Sequence, residues 1–330
     1  MEKVLVTGGT GFLGRELLKL LWAKDHDSIR VLCTRTPRWL AVLGVEVIEG
    51  SILDPDACRR AVTGVSCIYH LAGLVSRDPA DAHRMYEVHV EGTRALLAAA
   101  REALVRRITL CGTSGTIAVT EDGETIPDET NDRPMNVISR FPYYLSKAYQ
   151  EDVAKQLCGS AMELVSVHPS LVLGPGDDRQ SSTEDVQNLL DGRVPVIPPG
   201  GLSFVDVRDA ADAMVAAMEK GRAGEKYLVG GPNWTFQRFF ERLARIADVA
   251  PPRFKANATL LRAGASAADS VWRHFGRTPP VLKISAEMST YFWYLDASKA
   301  ARELGFAPRD PSETLTDTVR YLKEGTASRV

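Results

Sequence analysis

Tyr143 and Lys147 lie four residues apart directly after Pro142, and on a helix started by that proline they share one face. A phenol with the ordinary pKa of about 10 is a poor acid or base at neutral pH. An ammonium beside it stabilises the phenolate and draws that pKa toward the working range. Upstream, Arg107 to Cys111 reads as a strand, and Gly112-Thr113-Ser114-Gly115 puts two hydroxyls at its carboxyl end, where open α/β sheets carry their chemistry. Either Thr113 or Ser114 can hydrogen-bond a substrate oxygen there. A phenol, an ammonium and a hydroxyl set against a nicotinamide suffice for hydride transfer between C–OH and C=O. Alone, the Tyr/Lys pair fits a plain amphipathic helix equally well, so the reading depends on a cofactor site elsewhere in the chain.

That site is signalled in the first dozen residues, Lys3-Val-Leu-Val-Thr-Gly-Gly-Thr-Gly-Phe-Leu-Gly14. Val4, Leu5 and Val6 form the short apolar run of a strand buried on both faces. Glycines follow at Gly8, Gly9, Gly11 and Gly14, with Thr10, Phe12 and Leu13 among them, and Leu13, Leu17, Leu18, Leu20 and Leu21 then recur on one side of a helix. The spacing is Gly-x-Gly-x-x-Gly read from Gly9 and Gly-x-x-Gly-x-x-Gly read from Gly8. Residues without Cβ let backbone approach a pyrophosphate, and the helix N-terminus offers it free N–H groups and a positive dipole end. A turn that merely packs strand on helix would use the same glycines, but strand, turn and helix in this order favour a dinucleotide. The second strand, Ile29 to Cys33, ends in Thr34-Arg35-Thr36-Pro37-Arg38, without the carboxylate that receives the ribose hydroxyls of NAD(H) about 20 residues past the glycines. Arg35 suits a 2′-phosphate, so NADP(H) is expected over NAD(H); stacking of Arg35 on the adenine is the alternative.

The elements that would position these groups alternate between strand and helix. A strand over 45–48 leads into Glu49-Gly50-Ser51-Ile52, and another over 65–69 ends in His70-Leu71-Ala72-Gly73, whose small residues let a ligand lie flat on the backbone. A long helix is expected over 82–103 and a surface loop over 120–142. The alternation predicts an α/β fold, a doubly wound parallel sheet (a Rossmann fold), with a smaller C-terminal substrate-binding lobe. Residues 1–172 would form the dinucleotide domain, its sheet completed within 203–231, with 173–202 and 232–330 as the lobe. Pro195, Pro198, Pro199, Gly200 and Gly201 mark a loop before the strand at 204–207, and a helix is expected over 209–220. Leu260, Leu261, Val271, Trp272, Phe275, Tyr291 and Phe292 have helical spacing; most would pack the lobe's core, and a few, with Phe204, would wall an apolar pocket.

With 330 residues, 45% hydrophobic and 25% charged, the chain has the balance of a globular protein of more than one average domain. A formal net charge of −2 gives no electrostatic case for nucleic acid or an anionic membrane. No apolar run approaches a spanning helix, and a strand starting at Lys3 leaves no room for a signal segment. Five scattered cysteines, Cys33, Cys58, Cys67, Cys111 and Cys158, suggest reduced thiols, a cytoplasmic setting and no metal site.

Several segments together resemble one family. Thr7-Gly8-x-x-Gly11-Phe12-Leu13-Gly14, His70-Leu71-Ala72-Gly73, Tyr143-x-x-x-Lys147, the run from Pro169 to Asp177, Phe204-Val205-Asp206-Val207-Arg208-Asp209, Tyr227 to Gly231 and Asp296-x-Ser298-Lys299-Ala300 are similar to the extended short-chain dehydrogenase/reductase superfamily, nearest its dihydroflavonol reductase-like and 3β-hydroxysteroid dehydrogenase-like branch. The resemblance implies Tyr143 as general acid/base, Lys147 as the group that lowers its pKa and binds the nicotinamide ribose, and Thr113 in the place of the usual catalytic serine, with Ser114 next. It implies cofactor contacts at Gly8, Thr10, Gly11, Phe12, Leu13, Gly14, Arg35, Ser51, Ile52, Leu71, Ala72, Gly73, Pro169, Leu171 and Val172, and substrate contacts at Ser114, Ser76 and Phe204. A homodimer through the helix before the Thr113 strand and the Tyr/Lys helix is also expected from it.

Three departures carry weight. Gly50-Ser51 stands where the family has Gly-Asp, and His89 where it has Asn, in a supporting role. The strand before the lobe reads His168-Pro169-Ser170-Leu171 without the Asn that contacts a sugar nucleotide, and no Asp-Glu pair follows Thr113. These absences favour an NADP(H)-dependent oxidoreductase interconverting a ketone or aldehyde with an alcohol on a small, largely apolar metabolite. A nucleotide-sugar epimerase that retains NAD is the second expectation, and a catalytically silent dinucleotide-binding regulator the third.

Overall fold

The computed structural model describes residues 3–24, 28–194, 196–274 and 283–327. Strand β1 (Val4–Thr7) runs into the glycine turn and helix α1 (Phe12–Lys24) out of it, followed by β2 (Ile29–Cys33), α2 (Arg38–Val42), β3 (Glu46–Glu49), α3 (Pro55–Val62) and β4 (Cys67–His70). Next come α4 (Ala82–Tyr86), a π-helical segment Glu87–Glu91, α5 (Gly92–Glu102), β5 (Arg107–Cys111), α6 (Met135–Ile138), α7 (Pro142–Cys158) and β6 (Glu163–Pro169). The second part holds β7 (Leu171–Leu173), α8 (Glu184–Leu190), β8 (Val196–Ile197), β9 (Gly201–Asp206), α9 (Val207–Lys220), β10 (Lys226–Val229) and β11 (Asn233–Thr235). It closes with α10 (Phe236–Ala247), β12 (Phe254–Lys255), α11 (Ala258–His274), α12 (Lys283–Met288), β13 (Phe292–Trp293), α13 (Ser298–Leu304) and α14 (Pro311–Ala327).

A seven-stranded sheet of order β10-β6-β5-β4-β1-β2-β3 forms the centre, and each of its pairings is parallel. Its strands are near-continuous apolar runs because helices cover both faces. On one side Leu17, Leu18 and Leu21 of α1 pack with Val6, Val31, Val167 and Met214, and on the other Ala57, Leu96, Leu97 and Ala154 pack with Leu5, Ile68 and Ile108. The order in which strands are added reverses between β1 and β4, the switch point where doubly wound sheets open a crevice at their carboxyl ends. The glycine turn follows β1 and His70-Leu71-Ala72-Gly73 follows β4, so both flank that crevice.

Of the expected sheet-completing segment 203–231, only β10 joins the large sheet. Strand β9 pairs instead with β11, β13 and β7 in a small second sheet. The core beside it holds Leu173, Phe204, Trp234, Phe239, Phe240 and Leu243. The helix expected over 82–103 is interrupted by the π segment Glu87–Glu91, which contains His89. The expected loop 120–142 folds back on the molecule: Glu129 is buried, and its Oε1 accepts the Leu228 N–H at 2.7 Å, satisfying a donor on the edge strand β10. Leu260 is exposed and Trp272 is 37% exposed, whereas Tyr291 is buried. Pro195 and Phe275 lie outside the described residues.

Candidate active site

Thr113 and Tyr143 meet at the carboxyl end of the sheet. Pro142 occupies the first turn of α7, as its fixed φ and missing N–H allow, so Tyr143 begins the helix beside the end of β5. The Thr113 hydroxyl faces the Tyr143 phenol and favours its ionised form, but burial is the larger influence and holds the phenol well above its ordinary pKa. The Thr113 carbonyl is fixed separately, accepting from Thr116 Oγ1 at 2.9 Å and from Thr116 N–H at 3.2 Å.

Lys147 is buried one helical turn further on. Its ammonium donates to the Cys111 carbonyl at 2.8 Å and to Gln150 Oε1 at 2.8 Å, and burial lowers its pKa. The expected acidification of Tyr143 by Lys147 is therefore not the arrangement found: Lys147 directs its charge at Cys111 and Gln150, and the hydroxyl lowering the phenol's pKa belongs to Thr113.

Behind Lys147 runs a chain of buried polar groups that sequence reasoning missed. Gln150 Nε2 donates to Thr93 Oγ1 at 3.0 Å, Thr93 Oγ1 is 2.8 Å from His70 Nε2, and His70 Nδ1 is 2.8 Å from Thr7 Oγ1, which accepts the Ala72 N–H at 3.3 Å. Burial drives the His70 pKa down to about 3, so its ring is neutral. Gln150 stands three residues past Lys147 and seven past Tyr143, a same-face spacing that was a usable signal. His89 forms a second strut: Nε2 accepts the Leu74 N–H at 3.1 Å, which leaves the ring proton on Nδ1 to donate to Ser146 Oγ at 2.8 Å. Ser146 in turn donates to the Tyr143 carbonyl at 2.9 Å. The π segment carries His89 to this position, as such a locally widened turn does at functional sites.

The glycine turn has the shape a pyrophosphate needs. Gly8 has φ +71°, and a Cβ there would stand 2.5 Å from the Leu71 carbonyl carbon. A Cβ on Gly14 would collide with the Gly8 carbonyl oxygen. Gly8 and Gly14 thus satisfy the Gly-x-x-Gly-x-x-Gly register, and Gly11 donates its N–H to the Gly8 oxygen at 2.9 Å. At Gly73 a Cβ would come within 3.0 Å of His89 Nε2, on the side toward Lys147. A glycine turn held this closely against neighbouring backbone, at the switch point and before the N-terminus of α1, fits a dinucleotide.

The sequence profile of the NAD dependent epimerase/dehydratase family matches residues 4–230. The chain belongs to that family. It is an enzyme of the extended short-chain dehydrogenase/reductase type, with a Rossmann fold. It is 30% identical over 329 residues to "Sterol demethylase protein B" of Methylococcus capsulatus, covering 97% of this chain and 98% of the relative. It is 28% identical over 347 residues to "2-alkyl-3-oxoalkanoate reductase" of Stenotrophomonas maltophilia, covering 99% and 100%. Among solved structures it is similar to that of gox2253, with a TM-score of 0.84, 30% identity and 98% of each chain covered.

In this short-chain dehydrogenase/reductase the adenosine end of the crevice differs from expectation in one respect. Arg35 is exposed just past β2, but Glu49, at the end of β3, reaches the same loop, where its Oε2 accepts from Thr36 Oγ1 at 2.8 Å and from the Thr36 N–H at 3.3 Å. The Ser51 hydroxyl accepts the Leu53 N–H at 3.1 Å, and Ile52 is buried. Leu71, Ala72, Thr10, Phe12 and Leu13 are partly exposed around the glycine turn; Pro169 is buried at the end of β6, and Leu171 and Val172 are partly exposed on β7.

On the substrate side, Phe204 is corrected from pocket wall to core. It is 1% exposed between Trp234 and Phe239, because β9 turns it into the lobe. Ser76 Oγ donates to Asp81 Oδ2 at 2.6 Å and accepts the Asp78 N–H at 3.0 Å, so its hydroxyl shapes the loop after β4. Beside Tyr143 stand aromatics instead. Tyr144 stacks on Trp293 with centroids 4.7 Å apart, and Phe141 meets Tyr144, Tyr291 and Trp293 edge-on. Gly115 leaves room for the Tyr144 ring, which a Cβ would strike. Next to Tyr144, Arg77 of the loop after β4 grips Asp185 of α8 with bonds of 2.9 and 2.7 Å. Among the described residues no cluster of His, Cys, Asp and Glu could hold a metal ion, and no helix is long and apolar enough to cross a membrane.

Proposed function

We propose that the protein is an NADP(H)-dependent oxidoreductase that interconverts a ketone or aldehyde with an alcohol on a small, largely apolar metabolite. The observation that carries this reading is the meeting of the Thr113 hydroxyl and the Tyr143 phenol at the strand end beside the glycine turn. When bound, the dinucleotide supplies or accepts a hydride at the substrate carbon. Gly8, Gly11 and Gly14 would hold its pyrophosphate, and Arg35 its 2′-phosphate. In the reductive direction Thr113 orients the carbonyl oxygen and Tyr143, kept protonated by burial, delivers the proton as that oxygen gains charge. Lys147, already aimed at the Cys111 carbonyl, contributes positive charge at the sheet edge and a donor for the nicotinamide ribose. The aromatic panel of Tyr144 and Trp293 supports an apolar substrate, and the reductase relative named for a 3-oxoalkanoate supports the reaction class.

Steady NADPH consumption with a panel of ketones, β-ketoacyl compounds and ring ketones tests the reading, with Tyr143→Phe expected to abolish it. Tightly bound NAD with isomerisation of a UDP-sugar would favour the epimerase reading, and no turnover with intact NADPH binding would favour a regulator. A homodimer through α5 and α7 belongs to the same proposal. Tyr86 and Tyr149, 41% and 40% exposed, meet edge-on with centroids 6.4 Å apart beside those helices, and light scattering reads the state directly.

A further inference from the structure

His168 is the last residue but one of β6, immediately before Pro169, and its ring lies against the backbone that carries Thr113. Nδ1 is 3.2 Å from the Thr113 carbonyl oxygen. A carbonyl only accepts, so Nδ1 bears the proton and donates it, and Nε2 is left as a lone pair. The fit is close: a Cβ on Gly112 would stand 2.7 Å from the imidazole, so glycine before Thr113 and histidine at 168 belong together. Nε2 is buried without a hydrogen-bond partner. The nearest carboxylate oxygen, Glu151 Oε2, is 3.8 Å away, beyond hydrogen-bond range, and Glu151 is itself engaged by Arg133 at 2.8 Å and Lys155 at 2.6 Å.

A buried ring nitrogen without a partner is a cost that an apolar side chain of the same shape would avoid. What such a side chain would lose is the Nδ1–H bond to Thr113. Three donors, His168 Nδ1, Thr116 Oγ1 and Thr116 N–H, then converge on one carbonyl and fix the backbone of the residue whose hydroxyl faces Tyr143. We infer that His168 is a positioning residue that sets the Thr113 hydroxyl on Tyr143 by holding the Thr113 carbonyl and packing under Gly112. The inference rests on the proposed reading of Thr113 and Tyr143 as the reacting pair. His168 itself touches neither substrate nor hydride.

The test compares His168→Asn, His168→Leu and His168→Gln in reduction of ethyl 3-oxobutanoate with NADPH, together with melting temperature and NADPH affinity. Asn presents an N–H close to where Nδ1 stands, Leu has the branching without a donor, and Gln carries its amide past the carbonyl. The expected result is a fall in kcat on the order of tenfold for Leu and Gln, with KM and NADPH affinity within about twofold, and Asn recovering most of the loss. Leu keeping wild-type kcat, or Asn falling as far as Leu and Gln at equal folded fraction, overturns the inference. If Leu fails to fold, Asn against Gln decides alone. Tyr143→Phe is measured alongside. Full turnover in that variant removes the reading of the site and the inference with it, whereas loss of turnover there with no effect at His168 removes the positioning role only.

Discussion

The Glu49 carboxylate accepts a 2.8 Å hydrogen bond from the Thr36 hydroxyl, which brings a negative charge from β3 to the residue after Arg35. In the proposed reading two opposite charges therefore compete at the adenosine end of the crevice: Arg35 would attract a 2′-phosphate, and Glu49 would repel it while offering an acceptor to ribose hydroxyls. The expected outcome is that Arg35→Ala lowers the NADPH/NADH ratio of kcat/KM by about tenfold, roughly 1.4 kcal/mol, while Glu49→Gln raises it several-fold, under about 1 kcal/mol. Steady-state kinetics with both cofactors read the two effects. A ratio unchanged by Glu49→Gln would place that carboxylate outside the cofactor's reach.

His89 is buried and neutral, its pKa held well below the ordinary histidine value chiefly by burial and then by the charge of Lys147. In the unfolded chain the same ring takes up a proton near pH 6.5. Below that pH the unfolded state binds one more proton than the native state, so stability falls on acidification by up to about 1.4 kcal/mol per pH unit for this residue. His89→Gln carries its amide oxygen out toward the Nε2 position, keeps an acceptor for the Leu74 N–H and cannot titrate. It is expected to keep activity within about threefold and to flatten the decline between about pH 6.5 and 4.5. Urea midpoints measured across that range check the slope; an unchanged slope would mean that His70 and His168 dominate it.

Much of this arrangement was legible in the sequence because it obeys local rules. Glycines forced by backbone contact, proline starting α7 and the strand bounds of β2 and β5 follow from spacing and conformational preference alone. What was not legible depends on how strands are ordered in space. Phe204 reads as a pocket wall until β9 is seen to pair with β11 and β13, which turns it into the lobe. The charge of Lys147 is drawn to the Cys111 carbonyl by a neighbour on another element, and Glu49 reaches Thr36 only because β3 lies beside β2. The π segment at His89 leaves no mark in a helical hydrophobic pattern.

The Arg77–Asp185 pair joins the loop after β4 to α8 of the lobe, next to Tyr144. The two side chains are 28% and 30% exposed, and a bidentate pair of this kind is worth more than an open surface bridge. Asp185→Asn leaves the guanidinium without its counter-charge beside the aromatic panel. The expected consequence is a three- to tenfold rise in KM for the ketone, roughly 1 kcal/mol, with NADPH affinity unchanged because the glycine cradle is untouched. The paired variant Arg77→Met with Asp185→Leu removes both charges and is expected to recover part of the loss for apolar ketones, which separates a closing role from a demand for charge. A rise in the NADPH dissociation constant in either variant would instead tie the pair to the cofactor half.

Tyr143 gives the sharpest pH prediction, since the two influences on it can be told apart. If an ammonium dominated, the phenol would titrate near neutrality, and reduction, which needs the proton, would fall above about pH 7. Burial dominates here and raises the pKa, so the acid form persists. The kcat/KM for ketone reduction is accordingly expected to stay level up to about pH 9, while alcohol oxidation, which needs the base form, keeps rising with pH across the same range. Thr113→Val removes the hydroxyl that favours the phenolate, so kcat/KM should fall in both directions by the same factor at any one pH, on the order of tenfold, since the overall equilibrium ties them together while cofactor binding is unchanged. A reduction profile that breaks near pH 7 in the wild type would show that Lys147, and not burial, sets the acidity of Tyr143 during turnover.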